Sequence, residues 1–328
     1  MSSPGPSESN HPPGGTLDSG LAVELPNEIQ RIIFEHAASL DGKCALRLCQ
    51  VAKYVYTWVR PILYQRIVMQ DPRSAISFFK TLRTKPRGHF EPMIRSLAVE
   101  STVTLPQAKA ILVECSRRIL LLTIFRKGSS RERILHYIKS PYLKRLTMVC
   151  HRDWDPNERQ FGQPNAQYDI PVGLVASLTH LAIIIDYESG SWIHLVSALL
   201  ASVYPDNDTY VIAYSAFQNL THVATSVQGL NHNVRIRRVA QKLRYFAILE
   251  PREYSLPQHE RLVARVRTLE RSAEYPMAAP RSMVILRDLG DPHVWKVQDS
   301  FRPSDFWKEV ERLVDGGFIS DRGERWYV

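Results

Sequence analysis

At 328 residues the chain has room for two domains, or for one small domain and an extended array. Its 44% hydrophobic and 23% charged content is ordinary for a globular protein. No run of about 18 apolar residues occurs, which excludes an expected membrane span. The formal charge of +9 and pI of about 9.4 describe surface potential and say nothing about fold.

Residues 1–20 are rich in Ser, Pro and Gly and almost free of large apolar side chains. They cannot bury enough surface to offset the entropy of ordering, so a disordered tail is expected. No basic stretch followed by an apolar one stands at the start, so no secretory signal is expected.

The next 50 residues are the most legible. Pro26 suits a first helical position, and Glu28 falls in the first turn, where the helix dipole favours a negative charge. Ile29, Ile32, Ile33, His36, Ala37 and Leu40 recur at helical spacing as one apolar stripe. Asp41-Gly42 breaks this helix, and Asp41 can cap the next, which carries Ala45, Leu46, Leu48 and Cys49. A third helix from about Val51 places Val51, Val55, Trp58 and Val59 on one side, and Pro61 starts a further turn with Ile62, Leu63 and Tyr64. Three short helices make too small a core to stand comfortably alone, so support from a neighbour or partner is expected.

Leu-Pro-x-Glu-Ile from Leu25, Ile-Phe-Glu-His-Ala-Ala from Ile33, Leu-Arg-Leu-Cys-Gln-Val-Ala-Lys from Leu46 and Trp-Val-Arg-Pro-Ile-Leu-Tyr from Trp58 together resemble an F-box. More narrowly, the chain looks like a fungal F-box-like protein. The resemblance covers about 45 residues at motif level and runs on more loosely beyond them. It implies a Skp-type adaptor as partner and, through it, a cullin ubiquitin ligase, with the helices docked by apolar anchors. Carried over by position, the anchors are Leu25, Pro26, Ile29, Leu48, Val51, Val59 and Leu63. Cys49-Gln50-Val51-Ala52-Lys53 departs from the Leu-Val-Ser-Lys-like run usual there; the absent Ser puts one turn or capping contact in doubt.

Asp71-Pro72 repeats the start signal and opens a helix with Ala75, Ile76, Phe78, Phe79 and Leu82 as its inner face, ended by Pro86-Arg87-Gly88. From about residue 90 the pattern apolar-x-x-apolar-x-apolar recurs. It fits Ile94/Leu97/Val99, Ile119/Leu122/Ile124, Leu143/Leu146/Met148, Leu178/Leu181/Ile183, Leu220/Val223/Thr225 and Leu243/Phe246/Ile248, with Met283–Leu286 as a last strand-length run. Two units share Leu-Thr-His, at Leu178 and Leu220. The first three are spaced by about 25 residues, inside the leucine-rich-repeat range, and later gaps run from about 23 to 42.

Helices interleave with these strands. One opens at Leu105 and runs through Ile111, Leu112, Cys115 and Ile119. Others open at Ser129 through Ile134, Leu135 and Ile138, at Ser191 through Leu195, Val196, Leu199 and Leu200, and at Pro257 through Leu262, Val266 and Leu269. The alternation predicts an α/β fold, a small three-helix F-box-like unit followed by an irregular leucine-rich-repeat-like solenoid of helices and parallel strands. The expected organisation is a tail over 1–20, the F-box-like unit over 21–70 and the solenoid over 71–328. Residues 150–171 read as a long rim loop, and a final helix through Phe306, Trp307, Val310 and Leu313 as a cover over the solenoid's open edge.

Chemistry is sparse. No phosphate-binding glycine loop or nucleophile elbow appears. His151 and Asp153 lack a nucleophile or third ligand. His180 and His222 hold equivalent strand positions and are expected to stack; two ligands without a carboxylate or Cys make a poor metal site. Cys44, Cys49, Cys115 and Cys150 form no Cys-x-x-Cys pair and read as buried free thiols of a reducing compartment, the cytoplasm or nucleus. The chain is therefore read as a non-catalytic binding protein with no cofactor and no metal, a substrate-recruiting subunit whose solenoid holds an unidentified target protein. A scaffold with a degenerate F-box is the alternative. Nucleic-acid binding through the basic stretches Arg117–Arg152 and Arg235–Arg252 ranks below both, since no stacking platform accompanies them.

Overall fold

The computed structural model describes residues 25–100, 102–127, 134–151, 172–185, 217–226, 240, 242–250, 255–271, 282–286 and 303–315. The chain divides into two compact units, Met1–Leu63 and Tyr64–Val328.

In the first unit, α1 spans Asn27–Leu40, α2 Gly42–Leu48 and α3 Lys53–Leu63. Pro26 sits one residue before α1, and its carbonyl accepts from the Ile29 and Gln30 amides at 2.9 and 3.0 Å. Glu28 lies in the first turn, as the dipole favours. Asp41 ends α1 and caps α2, accepting from the Lys43 and Cys44 amides at 3.1 and 3.2 Å. Ala38, Ala45, Val55 and Val59 are enclosed between the three helices, with Phe34, Leu48, Trp58, Ile62 and Leu63 packed around them. Pro61 starts no new turn: it lies inside α3, in its last turn. Its fixed φ matches a helix, and the missing N–H removes a bond only where the helix is about to end.

The second unit carries β1 (Arg66–Met69), α4 (Pro72–Arg83), β2 (Ser96–Val99), α5 (Leu105–Cys115), β3 (Leu121–Lys127), β4 (Arg145–His151), α6 (Val172–Ser177), β5 (His180–Ile185), β6 (His222–Ser226), β7 (Tyr245–Leu249), α7 (Leu256–Arg271), β8 (Ser282–Leu286) and α8 (Pro303–Asp315). The strands form one eight-stranded sheet in sequence order. Every pairing is parallel. The fold is α/β, a solenoid-like stack in which each strand lies beside its predecessor and, among the described residues, helical segments lie between several of the strands. Parallel neighbours require such crossovers.

The repeated pattern explains the register. Its second and third apolar positions align across the sheet, Leu97 with Leu122, Leu146, Leu181, Val223, Phe246 and Met283. The side chains from Leu97 to Phe246 in this row share one continuous core with Ala108, Ile111, Leu112 and Cys115 of α5 and with Leu262 and Val266 of α7. β1 lies in the span read as the end of the small helical unit. Tyr64, Ile67 and Met69 repeat the strand pattern with an aromatic first position, and Ile67 pairs with Leu97 and Met69 with Val99. The sheet therefore starts before residue 70.

Several helical expectations change. α4 is capped by Asp71, which accepts from the Ser74 amide at 2.9 Å while the Ser74 hydroxyl meets the Asp71 amide at 3.2 Å. Ala75 is buried and Phe78, Phe79 and Leu82 pack on the core, whereas Ile76, assigned to the inner face, is exposed. Gly88, at φ 78, makes the turn after α4 that an L side chain would strain. α5 stops at Cys115, and a 3-10 turn over Ser116–Arg118 leads to the next strand, so Ile119 lies beyond the helix. Ile134–Tyr137 is a 3-10 turn rather than an α-helix. The helix expected from Ser191 and the loop over 152–171 lie outside the described residues, as does Asp153. α6, ahead of β5, had no separate sequence signal. Replacing Asp71 by Ala removes the side-chain half of its capping box and leaves the backbone amide of residue 71 bonded to the Ser74 hydroxyl, and the expected loss is about 1 kcal/mol of unfolding free energy in urea titration.

α8 packs against the face of the sheet beside its last strands, β7 and β8. Trp307 and Val310 lie against the second sheet face with Phe125, Val149, Ala182, Ile184, Ala224, Ala247 and Leu249. Both sheet faces are buried there, and the small side chains Ala182, Ala224 and Ala247 leave room for a helix to approach. Among the described residues, no helix is long and apolar enough to cross a membrane. Cys44 and Cys49 are half-buried free thiols and Cys115 is a buried one; burial and the neighbouring Glu114 push the Cys115 thiol up to about 12.

Candidate functional site

The two units each present one feature that packing alone does not explain.

On the first unit it is an uncovered apolar face. α1 carries two apolar stripes. Phe34 and Ala38 turn inward, while Ile29, Ile32, Ile33 and Leu40 are 43%, 61%, 50% and 72% exposed. Leu25, Leu46, Val51, Tyr54 and Tyr56 are exposed as well. These nine stand within residues 25–56, against three others, Ile76, Tyr142 and Leu256, among all described residues. Single exposed apolar side chains are ordinary surface, and it is their concentration in this unit that stands out. The seven residues carried over as adaptor anchors separate by burial. Leu25, Pro26, Ile29 and Val51 are exposed, and Leu48 and Leu63 are half-buried against the unit's own core. Val59 is 0% exposed and sealed between the helices, so it supports the fold and offers no surface. Ile32, Ile33 and Leu40 were legible as a stripe but not as the outward one, because periodicity gives a face without saying which way it points.

On the second unit the feature is a polar row on the α8 side of the sheet. Parallel register sets Arg145, His180, His222 and Tyr245 side by side on β4, β5, β6 and β7. The His180 and His222 rings stack, 4.0 Å apart at 7°, and Tyr245 continues the stack at 4.5 Å from His222. The shared Leu-Thr-His produces this. Each Thr hydroxyl lies beside its neighbour's Nδ1, Thr179 at 2.8 Å and Thr221 at 2.7 Å. Each also reaches a backbone carbonyl of the preceding strand, Lys144 at 3.0 Å and Thr179 at 3.1 Å.

α8 supplies the rest. Trp307 meets His180 and His222 edge-on at 5.1 and 5.3 Å. One turn on, Glu311 Oε1 approaches His222 Nε2 at 3.0 Å, and another turn on, Asp315 accepts from the Tyr245 hydroxyl at 3.0 Å. Spacing of four residues puts the three on one helix face.

No known protein family, no curated protein and no solved structure matches this chain.

Charge is managed closely around the row. Burial, then His222 and Arg145, push the His180 imidazolium down to about 2. Burial, then Arg145 and Arg244, bring His222 down to about 4, with Asp315 opposing. Arg145 is itself lowered by burial and held up by Glu311. Of the two rings, His180 is therefore the more firmly neutral. The carboxylate that two histidines lacked in the sequence comes from a helix 89 residues further on.

Proposed function

We propose that the chain is a substrate-recruiting, non-catalytic F-box-type subunit of a Skp–cullin–F-box ubiquitin ligase. Its first unit docks a Skp-type adaptor, and its α/β stack, a leucine-rich-repeat-like solenoid on this reading, holds a target protein within reach of the ligase. The observation that carries this is the concentration of exposed apolar side chains on the three-helix unit, Leu25, Ile29 and Val51 among them. An isolated three-helix unit has little to gain by turning isoleucines to water; covering them against a partner removes that surface at roughly 25 cal/mol per Å². The motif residues from Leu25 to Tyr64 point to the adaptor as that partner. Catalysis then requires only proximity, so the chain needs no reactive residues of its own.

The direct test is co-expression of the full chain with a Skp-type adaptor, followed by affinity purification and mass spectrometry. The expected result is a stoichiometric complex that survives gel filtration. A folded chain that elutes without the adaptor would overturn the proposal and leave a scaffold whose F-box-like unit has lost its ligase contact.

A further inference from the structure

With Glu311 ionised, the contacts along β5, β6 and α8 need one proton more than the hydroxyls and neutral imidazoles provide. The His222 chain of contacts runs from the Thr179 carbonyl to the Thr221 hydroxyl, to His222 Nδ1, through the ring to Nε2, and on to Glu311 Oε1. That is three close contacts between acceptor-bearing atoms. One hydroxyl proton and one imidazole proton serve two of them. The third is left for a further proton or a metal ion to satisfy. Beside it, His180 Nε2 is buried and has no hydrogen-bond partner. His180 Nδ1 and the Thr179 hydroxyl, with the Lys144 carbonyl, use both available protons in the parallel arrangement of the neighbouring strand, which leaves Nε2 with a bare lone pair. A buried acceptor without a partner is costly, and it lies next to the deficit.

We propose that His180, His222 and Glu311 bind a divalent transition-metal ion of the zinc class. The two Nε2 atoms and a Glu311 carboxylate oxygen lie within 4.8 Å of one another. Two imidazoles and a carboxylate form a ligand set suited to zinc, with a fourth position open to water. Ligand atoms about 2.1 Å from a tetrahedral ion stand roughly 3.4 Å apart, so the His222–Glu311 pair, at 3.0 Å, opens slightly and the wider separations, all within 4.8 Å, close as the ion enters. Glu311 is 40% exposed on its helix and is free to adjust its carboxylate. Trp307 walls the site edge-on, and the Nδ1 contacts to Thr179 and Thr221 orient both ligands, as outer-shell partners of metal-bound histidines do. The bound ion joins α8 to β5 and β6. This inference does not depend on the adaptor reading.

The test uses the tag-free full chain, stripped with chelator and titrated with Zn²⁺ and separately with Co²⁺. The expected result is one ion per chain with a Kd of about 10 µM or tighter, together with an upward shift in Tm. Co²⁺ is expected to give the visible bands of nitrogen and oxygen ligation without a thiolate charge-transfer band. Glu311→Gln keeps the fold and is expected to weaken binding at least tenfold or so, since even outer-shell losses cost about 10–100-fold. His180→Gln is expected to do the same, with near-UV circular dichroism to check folding. No saturable binding, a thiolate spectrum, or a Glu311→Gln chain that binds as tightly as the parent would overturn the site. The third contact would then be satisfied by a proton shared by His222 and Glu311.

Discussion

Replacing Trp307 by alanine is expected to destabilise the second unit by about 3–5 kcal/mol, measured as a lowered urea midpoint with an unchanged slope. The side chain is 2% exposed and lies with Val310 against the sheet's second face, where Phe125, Val149, Ile184 and Leu249 form its surroundings. It also closes one side of the histidine stack. Alanine would leave an indole-sized void that a rigid parallel sheet collapses into only partly. The change would also loosen the helix that carries Glu311 and Asp315, so the Tyr245–Asp315 hydrogen bond should weaken with it. If α8 instead served only as an edge cover, the cost would be that of a surface substitution, within about 0.5 kcal/mol.

The second large effect is on association. Pro26→Ala combined with Ile29→Asp is expected to abolish co-purification with the Skp-type adaptor while leaving the thermal transition of the isolated chain almost unmoved. Both side chains are exposed, so the charge enters water in the free chain and enters the interface only in the complex. Val59→Asp is the informative contrast. Its side chain is enclosed by its own helices, so a carboxylate there should unfold the first unit whether or not the adaptor is present. Adaptor binding that survives the double change would sink the docking face. Loss of binding only with Val59→Asp would show that the unit must fold, without showing where it docks.

The sheet was largely legible. Apolar-x-x-apolar-x-apolar marks positions whose side chains, Thr225 apart, reach the helix-side core, and the six runs that fit it, together with the apolar run Met283–Leu286, all contribute strands. β1 escaped because Tyr64 stands where the others have an aliphatic residue and because helical residues immediately precede it. Half of the histidine site was legible as well: the repeated Leu-Thr-His placed His180 and His222 in adjacent strands, and the rings do stack. Glu311 was not legible. Its role depends on α8 lying across the second sheet face, and an amphipathic helix specifies that its apolar side will be covered without saying by which surface. The same limit hid the direction of the α1 stripe. Burial of Val59 and exposure of Ile29 are tertiary facts, set by how three helices turn about their axes.

The strand ladder keeps one register while the chain covers very different distances between rungs. From Leu181 to its partner Val223 is 42 positions, and from Val223 to Phe246 only 23. Pairing is thus indifferent to how much polypeptide intervenes. Foreign sequence grafted between Ile185 and Phe217 should therefore be tolerated, whereas one extra residue inside Leu178–Ile183 would send every following side chain of that rung to the opposite face. Such a molecule can diversify its excursions freely while its ladder stays fixed, which is a route by which new specificities can be acquired on an old frame.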